Sequence, residues 1–237
     1  MAKNYDPALG KWFRDYITLK SDRMKQLIKI LCLISLVSCN LKEDKVEIYL
    51  LKSRMKNVNG VSLDKTPQYK QGDSIYLKKL MPETTVDTSK MKFIFAGKFE
   101  FKDDDIEAKP FITNDEILKL DTIKGKIEFS NSGGRKLLGL KPNLRNGTQF
   151  IITVNKNPVF SGYVWSPYSS NGANWFCIQY EDTQTAKDTT LNNYKFLFYK
   201  GLGTSDPKKR EKIDFKKYPE LLEAFKESDR LKEDKNN

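Results

Sequence analysis

The feature that most constrains this chain is the run Met24–Cys39, MKQLIKILCLISLVSC, because it separates two stretches that cannot belong to one folding unit. Lys25 and Lys29 precede a short apolar segment, Ile30–Val37, which ends at a serine and a cysteine. At about 11 apolar-rich residues the segment falls short of the ~20 that a membrane-spanning helix needs. A basic start, a short apolar middle and a small residue at the end form the layout of a secretory signal.

The last four residues, Leu36-Val37-Ser38-Cys39, resemble the lipobox of bacterial lipoproteins. That resemblance implies recognition of Leu36, Val37 and Ser38 by a signal peptidase, cleavage before Cys39, and acylation of Cys39. One acyl chain holds a protein to a bilayer only marginally, whereas two or more hold it firmly. The expected location is therefore the cell envelope, with a lipid anchor in the outer membrane of a Gram-negative bacterium and the domain periplasmic or surface-exposed. Residues 39–45 read as a charged tether.

Upstream, Ala2–Phe13 (AKNYDPALGKWF) resembles the end of the Rhs repeat-associated core of large bacterial toxin proteins. The likeness stops at Arg14, so residues 1–23 read as an Rhs-core-like remnant, or as sequence ahead of a true start at Met24. Toxin genes of that kind are commonly followed by immunity genes. The resemblance thus implies an immunity protein whose partner is the toxin; an envelope component is the other protein partner expected.

Charge and composition narrow the chemistry. Cleavage before Cys39 would leave 35 basic and 28 acidic residues, a net charge of +7 against +11 for the whole chain. In an exported lipoprotein such a surplus points to anionic headgroups, acidic glycans or an acidic protein rather than to nucleic acid. The chain has no histidine, which excludes Ser-His-Asp and Cys-His nucleophiles and His-based zinc sites. Cys177 would be the one thiol left beside the anchor, so no internal disulfide is expected. Neither a cofactor nor a metal is expected. Asp103-Asp104-Asp105 lacks the spacing of a calcium loop, and Gly133-Gly134 lacks that of a phosphate loop.

Residues 46–200 read as one α+β domain, with a mainly antiparallel sheet and short helices. Val46–Lys52, Ser74–Leu80, Lys92–Phe101, Lys119–Thr122, Lys126–Phe129 and Asn193–Tyr199 read as strands, and Ser53–Asp73 as a long loop. Phe93, Phe95, Gly97, Phe99 and Phe101 alternate along one predicted face. Gln149–Val154 and Val159–Trp165 flank Asn155-Lys156-Asn157-Pro158 and predict a hairpin, with Asn174–Tyr180 as a third strand. Ser130–Gly134 reads as flexible, and Arg135–Leu140 as one helical turn. Residues 201–216 read as a linker and 217–232 as an amphipathic C-terminal helix, since Tyr218, Leu221, Leu222 and Phe225 recur at helical spacing behind Pro219. The last residues, Lys232–Asn237, read as disordered. In element order the chain is similar to small exported lipoproteins without assigned function, and to the periplasmic head domain of SecD-type translocase subunits.

Two sites stand out. Tyr163, Trp165, Tyr168, Ser169, Ser170 and Trp175 concentrate aromatic and hydroxyl groups around one polar loop. They read as a core whose rim carries Trp and Tyr, or as a contact surface of the kind in which these residues supply hot spots. The expected role is binding or structural, without catalysis. The alternative is an envelope hydrolase using Ser169 or Ser170 with a lysine, although no G-x-S-x-G elbow surrounds them. Cys177, on a strand, reads as a small core residue.

Overall fold

The computed structural model describes residues 44–142, 146–169, 172–180, 192–201 and 207–233. The signal, Cys39 and Ser170 lie outside these residues. Among the described residues eleven strands form two sheets. In chain order they are β1 (Val46–Leu50), β2 (Val61–Ser62), β3 (Thr85–Asp87), β4 (Lys92–Phe95), β5 (Ile117–Asp121), β6 (Lys126–Ser130), β7 (Thr148–Val154), β8 (Asn157–Trp165), β9 (Phe176–Tyr180), β10 (Asn193–Lys200) and β11 (Leu231–Lys232). The helices are α1 (Pro67–Lys70), α2 (Ser74–Leu80), α3 (Asn131–Gly139) and α4 (Pro219–Glu227). The large sheet runs β1-β7-β8-β9-β10-β6-β5-β11 and the small one β2-β4-β3.

The class is α+β and mostly sheet, but the large sheet is mixed rather than antiparallel throughout. β8 pairs with β9 in parallel, Tyr163 opposite Cys177, and β11 pairs with β5 in parallel. Ten residues, 166–175, separate β8 from β9, too many for a tight hairpin. Just before β9, Ala173 is buried while the Asn174 N–H donates to the Ala96 carbonyl, next to β4, at 2.8 Å.

Side-chain alternation divides the large sheet into two buried faces. Ile48, Phe150, Ile152, Phe160, Val164, Ile178, Phe196 and Phe198 face one core, which Leu221, Ala224 and Phe225 of α4 complete. Ile151, Tyr163, Trp165, Cys177 and Tyr199 face a second core, formed with Leu63, Leu80, Phe95 and Phe99 from the small lobe around β2-β4-β3. The β7–β8 hairpin turns on Asn155 and Lys156, both at positive φ (52° and 70°), so its turn has two residues and not four, and Pro158 belongs to β8.

Several predicted elements differ. Ser74–Leu80 is a helix, because Asp73 Oδ1 caps the Tyr76 N–H at 2.9 Å and Tyr76, Leu77 and Leu80 turn one face inward. The predicted loop 53–73 contains β2 and α1. Gly133 and Gly134 are helical, since a Cβ on Gly134 would come within 2.2 Å of the Tyr194 ring, and their bareness lets α3 lie on β10. The strand 92–101 ends at Phe95, where Ala96 takes φ 49° and interrupts the alternation. Ile213 and Phe215, inside the predicted linker, are buried in the first core. Lys232 lies in β11 rather than in a disordered tail.

The large sheet curls until both edges, β1 and β11, touch α4. Residues 105–112 run beside the outer edge of β1: Lys52 N–H donates to Asp105 O, Glu107 N–H to Leu50 O, and Ile48 N–H to Ile112 O, at 2.9 to 3.0 Å. A 3-10 turn, Asn114–Glu116, then leads into β5, the strand next to the opposite edge strand β11. At this seam Asn114 Oδ1 accepts from the Val46 N–H at 2.9 Å and from Arg230 Nη2 at 2.8 Å. Arg230 Nη1 also donates to the carbonyls of Asn114 and Ile117, at 3.0 and 2.9 Å.

Two carboxylates hold the seam in place. Glu116 accepts from the Thr113 N–H at 3.0 Å, Ser132 Oγ at 2.6 Å and Lys136 Nζ at 2.8 Å. Burial alone pushes its pKa up, but the hydrogen bonds from Lys136, Ser132 and Thr113 outweigh it, and the carboxyl titrates below its usual range. Asp121 behaves in the same way: burial opposes, and the bonds from Lys124 and Lys232 win.

Arg230→Ala removes three hydrogen bonds at once, from the carbonyls of Asn114 and Ile117 and the Asn114 amide oxygen. It leaves the Val46 and Ile117 N–H groups as the partners of Asn114, and should cost about 2–3 kcal/mol. In a domain of this size that is a drop of roughly 4–12 °C in thermal midpoint by calorimetry. Glu116 and Asp121 have folded pKa values below their unfolded ones, so their contribution is complete above roughly pH 4–4.5 and is lost as pH falls through the folded values. Chemical denaturation at pH 7 and pH 3 should show the loss, and Glu116→Gln should make the decline shallower.

Candidate interaction surface

The aromatic concentration is divided by the fold. Tyr163 and Trp165 are fully buried in the second core, in edge-to-face contact at 5.8 Å, and form no part of a surface. The Tyr163 hydroxyl lies 2.7 Å from Asn57 Oδ1 and 2.8 Å from the Gly97 carbonyl, and accepts from Gln149 Nε2 at 3.4 Å. Burial pushes its pKa well up, so it serves as a neutral donor. Trp175 is half-buried against Phe176, ring centroids 4.5 Å apart, with its Nε1–H donating to Ser161 Oγ at 3.3 Å. Tyr168 alone stands out, 66% exposed beside the Tyr180 ring.

Ser169 is buried, with its N–H donating to Ser166 O at 3.2 Å in a turn, so its hydroxyl does not face an approaching substrate. Cys177 is buried too, and burial pushes its thiol far above the range in which it would ionise.

What Tyr163 does is fasten the small lobe. Gln149 pairs with both backbone groups of Met55, accepting from its N–H at 2.7 Å and donating to its carbonyl at 3.1 Å. Arg54 donates to the carbonyls of Asn146 and Gly147, at 2.8 and 3.0 Å, and forms an ion pair with Glu83 at 3.3 Å. Gly97 is the close approach in this joint. A Cβ there would fall 1.7 Å from the Asn59 carbonyl oxygen.

The lobe so fastened carries the most conspicuous surface. Among the described residues ten large apolar side chains are exposed, and seven of them fall between Val58 and Phe93. Three belong to the β3–β4 hairpin: Val86 (49% exposed) and Phe93 (43%) are directly paired across the strands, and Met91 (83%) sits in the turn between them. Directly opposed residues project to the same side, so Val86 and Phe93 form one apolar step. Phe95, two residues on, continues that face into the buried core.

Beside the hairpin is a cleft of ≈ 540 Å³ lined by Lys65, Lys90, Lys92, Asp87, Asn59 and Asn174, among others. Lys92 pairs with Asp64 at 3.0 Å and Lys90 with Asp87 at 3.5 Å. Residues 54–98 contain nine Lys/Arg and four Asp/Glu, a surplus of five positive charges. Asn174 connects this cleft to the serine-rich crossover, so the loop singled out by its sequence borders the surface at its far end. The hairpin itself was hidden in the sequence, because alternation along 92–101 reads equally well as burial.

Compared with protein-family models, curated proteins and solved structures, the chain matches none.

Tyr163→Phe removes the one hydroxyl that lies between Asn57 Oδ1 and the Gly97 carbonyl, leaves Asn57 Oδ1 with the Gly97 N–H as donor, and should cost about 1–3 kcal/mol by denaturant titration. Tyr168→Ala should stay within about 0.5 kcal/mol of the parent.

Proposed function

We propose that this chain is a cell-envelope lipoprotein, anchored through Cys39, that acts by binding, and that it serves as the immunity partner of an Rhs-associated toxin. The observation that carries the binding role is the exposed step of Val86, Met91 and Phe93 in a basic lobe. Soluble proteins rarely leave apolar side chains clustered and bare unless something covers them. The anchor is supported by Leu36-Val37-Ser38-Cys39 behind a basic, apolar run, and the toxin connection by Ala2–Phe13. No helix among the described residues is long and apolar enough to cross a membrane, which is compatible with attachment by acyl chains.

Mass spectrometry of the membrane-extracted protein should give an N-terminus at acylated Cys39, and Cys39→Ala should leave the membrane fraction. A strain deleted for the gene should die in contact with toxin-bearing neighbours, and the protein should co-purify with the toxin domain. Unimpaired survival of the deletion strain would remove the immunity reading.

A further inference from the structure

We infer that the β3–β4 hairpin docks an acidic protein surface. The inference deepens the binding role proposed above and rests on the exposed hairpin, not on the lipid anchor.

The small lobe that carries the hairpin has a set place in the domain. The chain enters at Lys45, whose N–H donates to Asn155 Oδ1 at 3.1 Å, and Val46 pairs with Val154 beside the β7–β8 turn. β1 then runs antiparallel to β7, with Leu50 opposite Phe150, and Arg54 reaches Asn146 and Gly147 beyond the other end of β7. From Val154 to Gly147 is seven residues, about 24 Å at strand spacing. The small lobe is therefore fastened at the end of β7 opposite to the β7–β8 turn.

Chemistry then selects the partner. The surplus of five basic charges in residues 54–98 calls for an acidic counterpart. Met91, Val86 and Phe93 supply the kind of anchors that fill pockets on a protein, with lysines at the rim where they steer encounter. The partner surface is accordingly acidic around an apolar recess. Both sides of the hairpin are short strands, and Phe95 and Ile94 fix its base in buried positions, so the step is presented in a set orientation.

The test places a photo-crosslinking residue at Met91 in the full-length lipoprotein, in its own cells, with Ile123 on the large sheet as control. One protein should be crosslinked from Met91 and not from Ile123. After purification it should bind the lipoprotein in calorimetric titration, more weakly as salt rises. The double substitution Met91→Glu, Phe93→Glu should weaken it about 30-fold or more, the scale of a lost hot spot, with the thermal midpoint unchanged.

No adduct, or a purified adduct whose affinity ignores the double substitution, overturns the proposal. So does salt-sensitive binding of unacylated Cys39→Ala protein to phosphatidylglycerol vesicles that the same substitutions abolish, which would make the bilayer the occupant. A dimer in sedimentation velocity that they dissociate would make it a second copy. An unacylated N-terminus by mass spectrometry would remove the anchor reading while leaving the hairpin result to stand or fall by itself.

Discussion

The fold depends on the seam where Arg230 meets Asn114. An eight-stranded sheet left open would offer two rows of unpaired backbone groups, a template for association with other chains. Here residues 105–112 satisfy the outer edge of β1, and the two edges are drawn together by a single amide oxygen that accepts from Val46 and from Arg230. The Arg230 guanidinium is suited to this because its planar fork reaches several acceptors at once. Arg230 closely follows α4, so the curl closes only with that helix in place. Glu116 and Asp121 brace the turn and the strand that present these groups, which makes the closure sensitive to acid.

α4 covers one face of the curl, and the small lobe covers the other. The joint is polar at its centre: Tyr163, Asn57, Gln149 and Arg54 meet backbone groups of the facing segment, and the apolar ring of Leu63, Leu80, Phe95 and Phe99 surrounds them. Such a network sets the position of the lobe more strictly than apolar contact would, because each displaced hydrogen bond strands a buried group. The exposed hairpin is a consequence. The lobe is too small to bury both its own faces, and the apolar step that remains outside is the surface on which the binding role rests.

Much of the large sheet was legible in the sequence. Gln149–Val154 and Val159–Trp165 lie within the hairpin strands, Asn193–Tyr199 within β10, and Tyr218, Leu221, Leu222 and Phe225 at helical spacing mark α4. These elements have strong periodicity and clear punctuation, and their local preferences agree with their burial. Elsewhere local and tertiary demands diverge. Gly133-Gly134 reads as flexible until Tyr194 supplies the reason for two bare positions in a helix. Tyr163 and Trp165 look like an interface because the residues that cover them are about a hundred positions earlier in the chain. Phe93 looks like core for the converse reason: it alternates with Phe95, and only the fold leaves it uncovered.

By itself, the sequence determined the exclusion of histidine chemistry, the α+β class and the strand content of 148–200, all of which follow from residue type and short-range period. Tertiary structure decided the parallel entry of β9, the closure through Arg230, and which aromatic residues are covered. Alternation along a strand establishes that it has two faces. Which of them meets solvent is settled by segments distant in sequence, and no local pattern records their arrival.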